Sequence, residues 1–182
     1  LVEAALRARP AAARILDCGT GSGALLLAVL ASLPAAHGIG IDRSLAALEV
    51  AAANAARLGL SERARMIHAD WEEPGWAHSL GGRFDLILAN PPYVEKDAEL
   101  APSVRRHEPA GALFAGPEGL DCYRQLIPQL PALLAPGGAA LVEIGATQAD
   151  AVTAIASAAG FSVTLHRDLA SRPRVLELVE AG

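Results

Sequence analysis

The stretch Arg14-Ile15-Leu16-Asp17-Cys18-Gly19-Thr20-Gly21-Ser22-Gly23 joins a short apolar run to a glycine-rich loop, and an apolar helical pattern follows it. Glycines at alternate positions let the backbone turn tightly and approach a ligand closely at the N-terminus of a helix. The spacing differs from the dinucleotide pattern G-x-G-x-x-G, and the loop lacks the G-K-[ST] sequence of a P-loop. We therefore predict a nucleotide-type cradle, with a purely structural tight turn as the alternative.

Short apolar runs alternate with longer helical runs along the rest of the chain, which predicts βαβ units and a mostly parallel sheet. The predicted strands lie at residues 14–17, 38–42, 65–68, 84–89, 139–144, 161–166 and 175–179. The predicted helices lie at residues 23–33, 45–58, 120–134 and 148–159. Ser44 and Gly59 bracket the second helix as N-cap and C-terminal glycine, and Gly160 ends the last helix.

Two connections in this pattern are unusual. The last two predicted strands are joined by residues 168–174, which contain Pro173 and no helical pattern. A parallel crossover needs a dozen residues or more, so these strands should pair antiparallel. Residues 94–117 are long, charged and proline-rich, which predicts a functional lid or binding loop. With 182 residues in all, the chain has the length of one domain.

Polar side chains follow the second and third predicted strands. Asp42 lies 19 positions beyond Gly23, where an acidic side chain can accept hydrogen bonds from both ribose hydroxyls. Asp70 and Trp71 place an acceptor for an exocyclic amine beside an aromatic face. Together with the glycine loop, these residues predict an adenosine-type ligand. The alternatives are a solvated helix cap for Asp42 and ordinary core packing for Trp71.

The fourth predicted strand ends in Asn90-Pro91-Pro92-Tyr93. Open α/β sheets bind their ligands at the carboxyl ends of parallel strands. A polar amide fixed by two prolines and followed by an aromatic ring suits a flat substrate group at this place. We therefore predict an acceptor site here, and a rigid proline turn without a ligand is the alternative.

The composition limits the remaining function classes. The net charge of −5 argues against a stable nucleic-acid complex, because acidic surfaces do not hold polyphosphates by charge alone. Cys18 and Cys122 lie far apart, so we predict no metal site, no disulfide framework and a reducing cytosol. The uncharged residues 18–41 include Gly19, Gly21, Gly23 and Pro34, which favours a strand, loop, helix and strand over a membrane span.

At these residues the chain resembles the class I S-adenosylmethionine-dependent methyltransferases, and specifically the HemK/PrmC family of release-factor glutamine methyltransferases. Residues 17–23 look like the family's cofactor loop, 41–44 like its ribose-binding turn, 70–72 like the segment beside the adenine, and 90–93 are its N-P-P-Y. Other family-like segments are Val104-Arg105 with Glu108-Pro109, Gly119-Leu120-Asp121, Pro136-Gly137-Gly138, Glu143-Ile144-Gly145 and Asp168-Leu169-Ala170. Cys18 stands where an aliphatic residue is more usual, and we expect it to pack in the core.

The resemblance implies an α/β, Rossmann-like class I methyltransferase fold, with a seven-stranded, mostly parallel sheet, an antiparallel last strand and helices on both faces. It also implies that S-adenosylmethionine is the cofactor and S-adenosylhomocysteine its product. The implied cofactor-binding residues are Asp17, Gly19, Thr20, Gly21, Ser22, Gly23, Asp42, Asp70, Trp71 and Asn90. The implied catalytic residues are Asn90, Pro91, Pro92 and Tyr93.

The activity implied by the resemblance is methyl transfer to the N5 amide nitrogen of the glutamine in the GGQ motif of peptide chain release factors, in the cytoplasm. The alternatives are an N6-adenine or N2-guanine methyltransferase of DNA or RNA, which the acidic charge disfavours, and a cofactor-binding module without catalysis, which the intact N-P-P-Y disfavours. We expect residues 1–182 to be a catalytic domain lacking the family's N-terminal helical substrate-recognition domain. We further expect a monomer that neither enters a membrane nor binds nucleic acid stably.

Overall fold

The computed structural model describes residues 1–93 and 118–182. The predicted functional loop at residues 94–117 and the family-like residues within it lie outside the described residues. No helix in the described part of the chain is long and apolar enough to cross a membrane.

The described residues form one seven-stranded sheet with the strand order β3-β2-β1-β4-β5-β7-β6. Neighbouring strands from β3 to β5 pair parallel, whereas β7 pairs antiparallel with both β5 and β6. The predicted fold class is therefore confirmed, including the antiparallel last strand. The strands are β1 (Arg14–Cys18), β2 (His37–Asp42), β3 (Ala64–His68), β4 (Phe84–Ala89), β5 (Leu134–Glu143), β6 (Phe161–Arg167) and β7 (Pro173–Glu180).

Helices cover both faces of the sheet. Alternate side chains of the central strands point to opposite faces, so each face presents apolar side chains that helices bury. Leu16 and Ile87 belong to one buried cluster, and Ile15 and Leu86 belong to a second cluster on the other face. The helices are α1 (Val2–Ala8), α2 (Ala24–Ser32), α3 (Leu45–Arg57), α4 (Asp121–Leu126), α5 (Leu130–Leu133) and α6 (Ala149–Ala158). Helices α1 to α3 contribute to the second cluster, and α4 to α6 contribute to the first.

One predicted helix was wrong in extent. Residues 120–134 do not form a single helix but α4, a 3-10 turn at Ile127–Gln129 and the short α5. Pro128 and Pro131 lack the backbone N–H that a continuous helix needs, and their rings clash with the preceding turn. The apolar periodicity is real, because Leu126, Ile127 and Leu130 are fully buried, but the prolines divide the segment that carries it.

Three smaller features differ from the sequence prediction. Helix α1 was not predicted; it is stabilised by packing, since Ala4 and Ala5 are buried against the second cluster. The 3-10 turn at Trp76–Leu80 was also missed. Strand β5 begins at Leu134, five positions before the predicted start, and its pairing with β4 is irregular between Phe84 and Leu86.

Candidate functional site

The register of the parallel strands brings the predicted site residues to one edge of the sheet. Cys18 at the end of β1 pairs with Ile41 of β2 on one side and with Ala89 of β4 on the other. The glycine loop, Asp42 and Asn90 follow these paired residues directly. They therefore lie side by side at the carboxyl edge, where open α/β sheets bind ligands.

The glycine loop turns sharply into α2. Gly19, Gly21 and Gly23 all have positive φ, between 56° and 81°, a backbone region that side chains disfavour. The N–H groups of Gly19 and Thr20 both donate to the carbonyl oxygen of Ile41, at 2.9 and 2.8 Å. The loop is thereby fixed against β2, and it leads into α2 at Gly23, the N-cap residue of that helix.

Asp42 holds this loop as well as the helix that follows β2. Its Oδ2 atom accepts from the N–H of Gly21 at 2.9 Å, and its Oδ1 atom accepts from the N–H of Ser44 at 2.8 Å. Ser44 caps α3, as predicted, by accepting from the N–H of Ala47 at 3.3 Å. Each carboxylate oxygen has further lone pairs, so the structural bonds of Asp42 leave room for acceptance from ribose hydroxyls.

Asp17 is a buried acid with an incomplete set of hydrogen bonds. It is 0% exposed, its Oδ2 atom accepts from the hydroxyl of Thr20 at 2.7 Å, and its Oδ1 atom has no partner among the described residues. Burial raises the pKa of Asp17 from its ordinary value of 3.8 to about 6, and the Thr20 hydroxyl opposes the rise. Because Asp17 and its Oδ1 atom are buried, Asp17 supports the loop from beneath and is not exposed to a ligand in this structure.

We expect the raised pKa of Asp17 to make the ligand-free protein less stable as the pH rises. The folded state keeps a proton that the unfolded chain releases, so the unfolding free energy falls between pH 4 and pH 6, by at most about 3 kcal/mol. The Asp17→Asn variant cannot ionise and should lack this term. Urea titrations at pH 4 and pH 7.5 give the unfolding free energy of both proteins. Relative to the parent, the variant should be more stable at pH 7.5 than at pH 4. A difference that is the same at both pH values would contradict the expectation.

Asp70 and Trp71 follow β3, the strand next to β2, which ends in Asp42. Asp70 accepts from the N–H of Glu72 at 3.0 Å. The Trp71 ring packs against the core and covers Gly19, where an added Cβ would lie 3.2 Å from Cη2 of the ring. Core packing of Trp71 is therefore present, and its Nε1–H is buried without a partner among the described residues. A contact with adenine stays a prediction for both residues.

Gln129 fixes the segment that carries Trp71, and sequence reasoning missed it. Its Nε2 donates to the carbonyl oxygen of Trp71 at 3.1 Å, and its Oε1 accepts from Nε1 of Trp76 at 2.6 Å. These contacts join residues more than 50 positions apart, and a lone glutamine in an apolar helical pattern carries no sequence signal for them. Gln129 thus fixes the backbone of the segment for which the sequence predicts a contact with adenine.

The Asn90-Pro91-Pro92-Tyr93 motif leaves β4 beside the glycine loop. Asn90 is exposed, and its side chain makes no hydrogen bond to any other described residue. Pro91 is buried, and Tyr93 packs partly against the core. Within the described residues the Asn90 amide thus has no hydrogen-bond partner, whereas Pro91 is buried and Tyr93 contacts the core.

The neighbouring strand β5 ends in a partly buried acid. Burial raises the pKa of the Glu143 carboxyl above its ordinary value, and Arg174 opposes the rise. The carbonyl oxygen of Glu143 accepts from the hydroxyl of the fully buried Tyr123 at 3.0 Å.

Cys18, as expected, packs in the core with 0% exposure. The described residues contain no group of three or more His, Cys, Asp or Glu side chains placed to hold a metal ion.

Comparison with known proteins defines the class to which this site belongs. The methyltransferase domain family matches residues 10–160, and the chain belongs to this family. The ribosomal protein L11 methylase of Lactobacillus delbrueckii subsp. bulgaricus has the same fold, with a TM-score of 0.67 and 23% identity, over 100% of this chain and 75% of that one.

Particular relatives are closer in sequence. The chain is 46% identical to the release factor glutamine methyltransferase of Caulobacter vibrioides and 48% identical to that of Cereibacter sphaeroides, in each case over 97% of this chain. These relatives confirm the resemblance to the release-factor glutamine methyltransferases. The chain spans 61% and 62% of their respective lengths.

Proposed function

We propose that this chain transfers a methyl group from S-adenosylmethionine to the N5 amide nitrogen of the glutamine in the GGQ motif of peptide chain release factors. The observation that carries the proposal is the exposed Asn90 amide, which stands at the end of β4 beside the glycine loop. The names of the relatives from Caulobacter and Cereibacter support the same substrate.

The residues around the glycine loop suit S-adenosylmethionine. The positive-φ glycines leave room for close approach, Asp42 would accept from the ribose hydroxyls, and the buried Asp17 would hold the loop in shape through the Thr20 hydroxyl. Thr20, Ser22 and the glycines complete the loop, and Asp70 and Trp71 would border the adenine. When bound, the cofactor supplies an electrophilic methyl group on a sulfonium and departs as S-adenosylhomocysteine.

The acceptor side of the site has to orient a weak nucleophile. The lone pair of an amide nitrogen is delocalised into its carbonyl, so placement contributes much of the catalysis. The Asn90 side-chain oxygen and the Pro91 carbonyl accept the two amide hydrogens and direct the nitrogen towards the methyl group. Pro92 stiffens the turn, and Tyr93 packs against the flat amide. The nitrogen releases one hydrogen to solvent as a proton once it is alkylated, so a strong general base is not required.

Substrate recognition is proposed to involve more than the described site. We place residues 1–182 as the catalytic domain, acting as a monomer in the cytoplasm, where release factors work. An upstream helical domain, as in the resembled family, would supply further contacts with the release factor. Binding energy from such remote contacts lowers KM and can also raise kcat.

The activity is tested with labelled S-adenosylmethionine and four acceptors: an intact release factor, a short GGQ peptide, unmodified DNA and unmodified RNA. We expect this chain to label the glutamine of the release factor. The Caulobacter relative serves as the positive control. Mass spectrometry of the GGQ peptide would locate the methyl group. Labelling of DNA or RNA with none on the release factor would instead support the adenine or guanine amino-methyltransferase.

A further inference from the structure

Gln148 is a buried polar residue without a role in the site as described so far. The buried polar or charged residues in the described part of the chain are Asp17, Thr20 and Gln148. The first two belong to the cofactor loop. Gln148, which is 8% exposed, directly precedes α6 on the acceptor side. Burial of an amide is unfavourable unless its hydrogen bonds are made, so its partners indicate what it does.

The side chain of Gln148 joins three separate segments at one point. Its Nε2 donates to the carbonyl oxygen of Tyr93 at 3.0 Å, to that of Gly119 at 3.2 Å and to that of Glu118 at 3.4 Å. Its Oε1 accepts from the N–H of Gly145 at 3.0 Å. A single side-chain amide therefore links the last residue of the acceptor motif to the residues that precede α4 and to those that follow β5.

The close approach of these segments depends on Gly119. This residue has a φ of +68°, and a Cβ added to it would collide with the carbonyl oxygen of Tyr93 and lie 2.7 Å from Nε2 of Gln148. The backbone at Gly119 is thus pressed against both partners. Only glycine allows this contact, and Nε2 of Gln148 donates to the carbonyl oxygens of both Tyr93 and Gly119.

The acceptor motif has few other attachments of this kind. Pro91 and Pro92 have no N–H to donate. Within residues 1–93 and 118–182, the bond from Gln148 to the Tyr93 carbonyl is the sole side-chain hydrogen bond to residues 90–93. The β4–β5 ladder holds the motif at its start, through Ala89 and Val142. Gln148 holds it at its end.

We propose that Gln148 is the positioning residue of the acceptor site: by binding the Tyr93 carbonyl it sets where Asn90 and Tyr93 stand relative to the end of β5. The proposal rests on the proposed function, in which Asn90 receives the acceptor amide. The hydrogen bonds of Gln148 within the described residues do not include the Asn90 side chain, so Gln148 acts through the backbone of the motif. Its loss should therefore lower kcat more than it changes cofactor affinity.

The first test is the Gln148→Met variant, which keeps the side-chain volume and removes the donors. We expect kcat on the release factor to fall about tenfold, because displacement of an orienting group by a fraction of an ångström is costly in rate. The dissociation constant of S-adenosylhomocysteine should stay within about twofold of the parent, since the cofactor loop is untouched. The matched control is Gln125→Met, an exposed glutamine whose side chain bonds to no described residue, and it should keep the parent kcat. A parent-like kcat in Gln148→Met, or an equal loss of cofactor affinity, would overturn the proposal.

A second measurement does not depend on activity. The chain has two tyrosines, Tyr93 and Tyr123, so protein labelled with 3-fluorotyrosine gives two fluorine NMR signals, and Tyr93→Phe assigns them. In Gln148→Met the Tyr93 signal should shift or broaden, while that of the buried Tyr123 should not. An unchanged Tyr93 signal would refute the positioning role even if the parent methylates glutamine. Conversely, failure of the parent to methylate any glutamine would refute the proposed function and leave the fluorine result to decide the role of Gln148.

Discussion

Replacement of Asn90 by alanine is expected to reduce kcat by about 10²- to 10³-fold, the loss seen when one preorganised group that stabilises a transition state is removed. The alanine variant no longer has the oxygen that accepts an acceptor-amide hydrogen, so the nitrogen is poorly aligned. Cofactor affinity should change far less, because amide orientation matters most in the transition state. Initial rates with labelled cofactor and calorimetric titration with S-adenosylhomocysteine give the two quantities.

The structure provides internal controls for this variant. Asn90 is exposed, and its side chain bonds to no other described residue, so the alanine variant should retain the parent unfolding free energy within about 0.5 kcal/mol. Asn90→Asp keeps an acceptor oxygen in the same place and should lose less kcat than Asn90→Ala. A parent-like kcat in the alanine variant would remove Asn90 from the mechanism, whatever the titration shows.

Replacement of Asp42 by alanine is expected to weaken binding of S-adenosylhomocysteine by about 10- to 100-fold. Hydrogen bonds to a charged group contribute about 1.5–3 kcal/mol each, and about 1.4 kcal/mol corresponds to a factor of ten. The variant also leaves the N–H groups of Gly21 and Ser44 without the carboxylate that binds them. Loss of order in the glycine loop should therefore add to the loss of the ribose contact.

Two comparisons separate these contributions. Ser44→Ala removes the cap of α3 and should destabilise the protein by about 1 kcal/mol with little change in affinity. Asp42→Asn keeps one acceptor oxygen and should bind more tightly than Asp42→Ala. NAD should not bind the parent, because the loop lacks the dinucleotide spacing. Calorimetry decides the assignment: if Asp42→Ala binds as tightly as the parent, Asp42 is not the ribose ligand.

Local patterns predicted most of the fold and the shape of the glycine loop. The strands needed only apolar runs between helical segments, and the antiparallel β7 followed from a connection too short for a crossover. The glycines at 19, 21 and 23 adopt the positive φ that their spacing indicated. Ser44 caps α3 as expected. All of these features depend on residues close together in the chain, so the sequence records them directly.

The division of the helix at 120–134 shows where local pattern and local chemistry disagree. Apolar periodicity favoured one helix, and Leu126, Ile127 and Leu130 are indeed buried. Pro128 and Pro131 nevertheless interrupt the backbone hydrogen bonds. The two prolines are visible in the sequence. Periodicity alone does not show, however, that shorter segments can still bury the apolar side chains on both sides of the break.

The sequence by itself determined the seven-stranded α/β domain, the glycine loop and the placement of Asp42 and Asn90 at the ends of β2 and β4. The tertiary structure alone decided that Asp17 is fully buried with one oxygen unpartnered, that Gln129 holds the Trp71 segment, and that Gln148 binds the end of the acceptor motif. The reason is separation along the chain: Gln148 and Tyr93 are 55 positions apart. Their contact is created by strands and helices packing together, and no pattern of neighbouring residues encodes it.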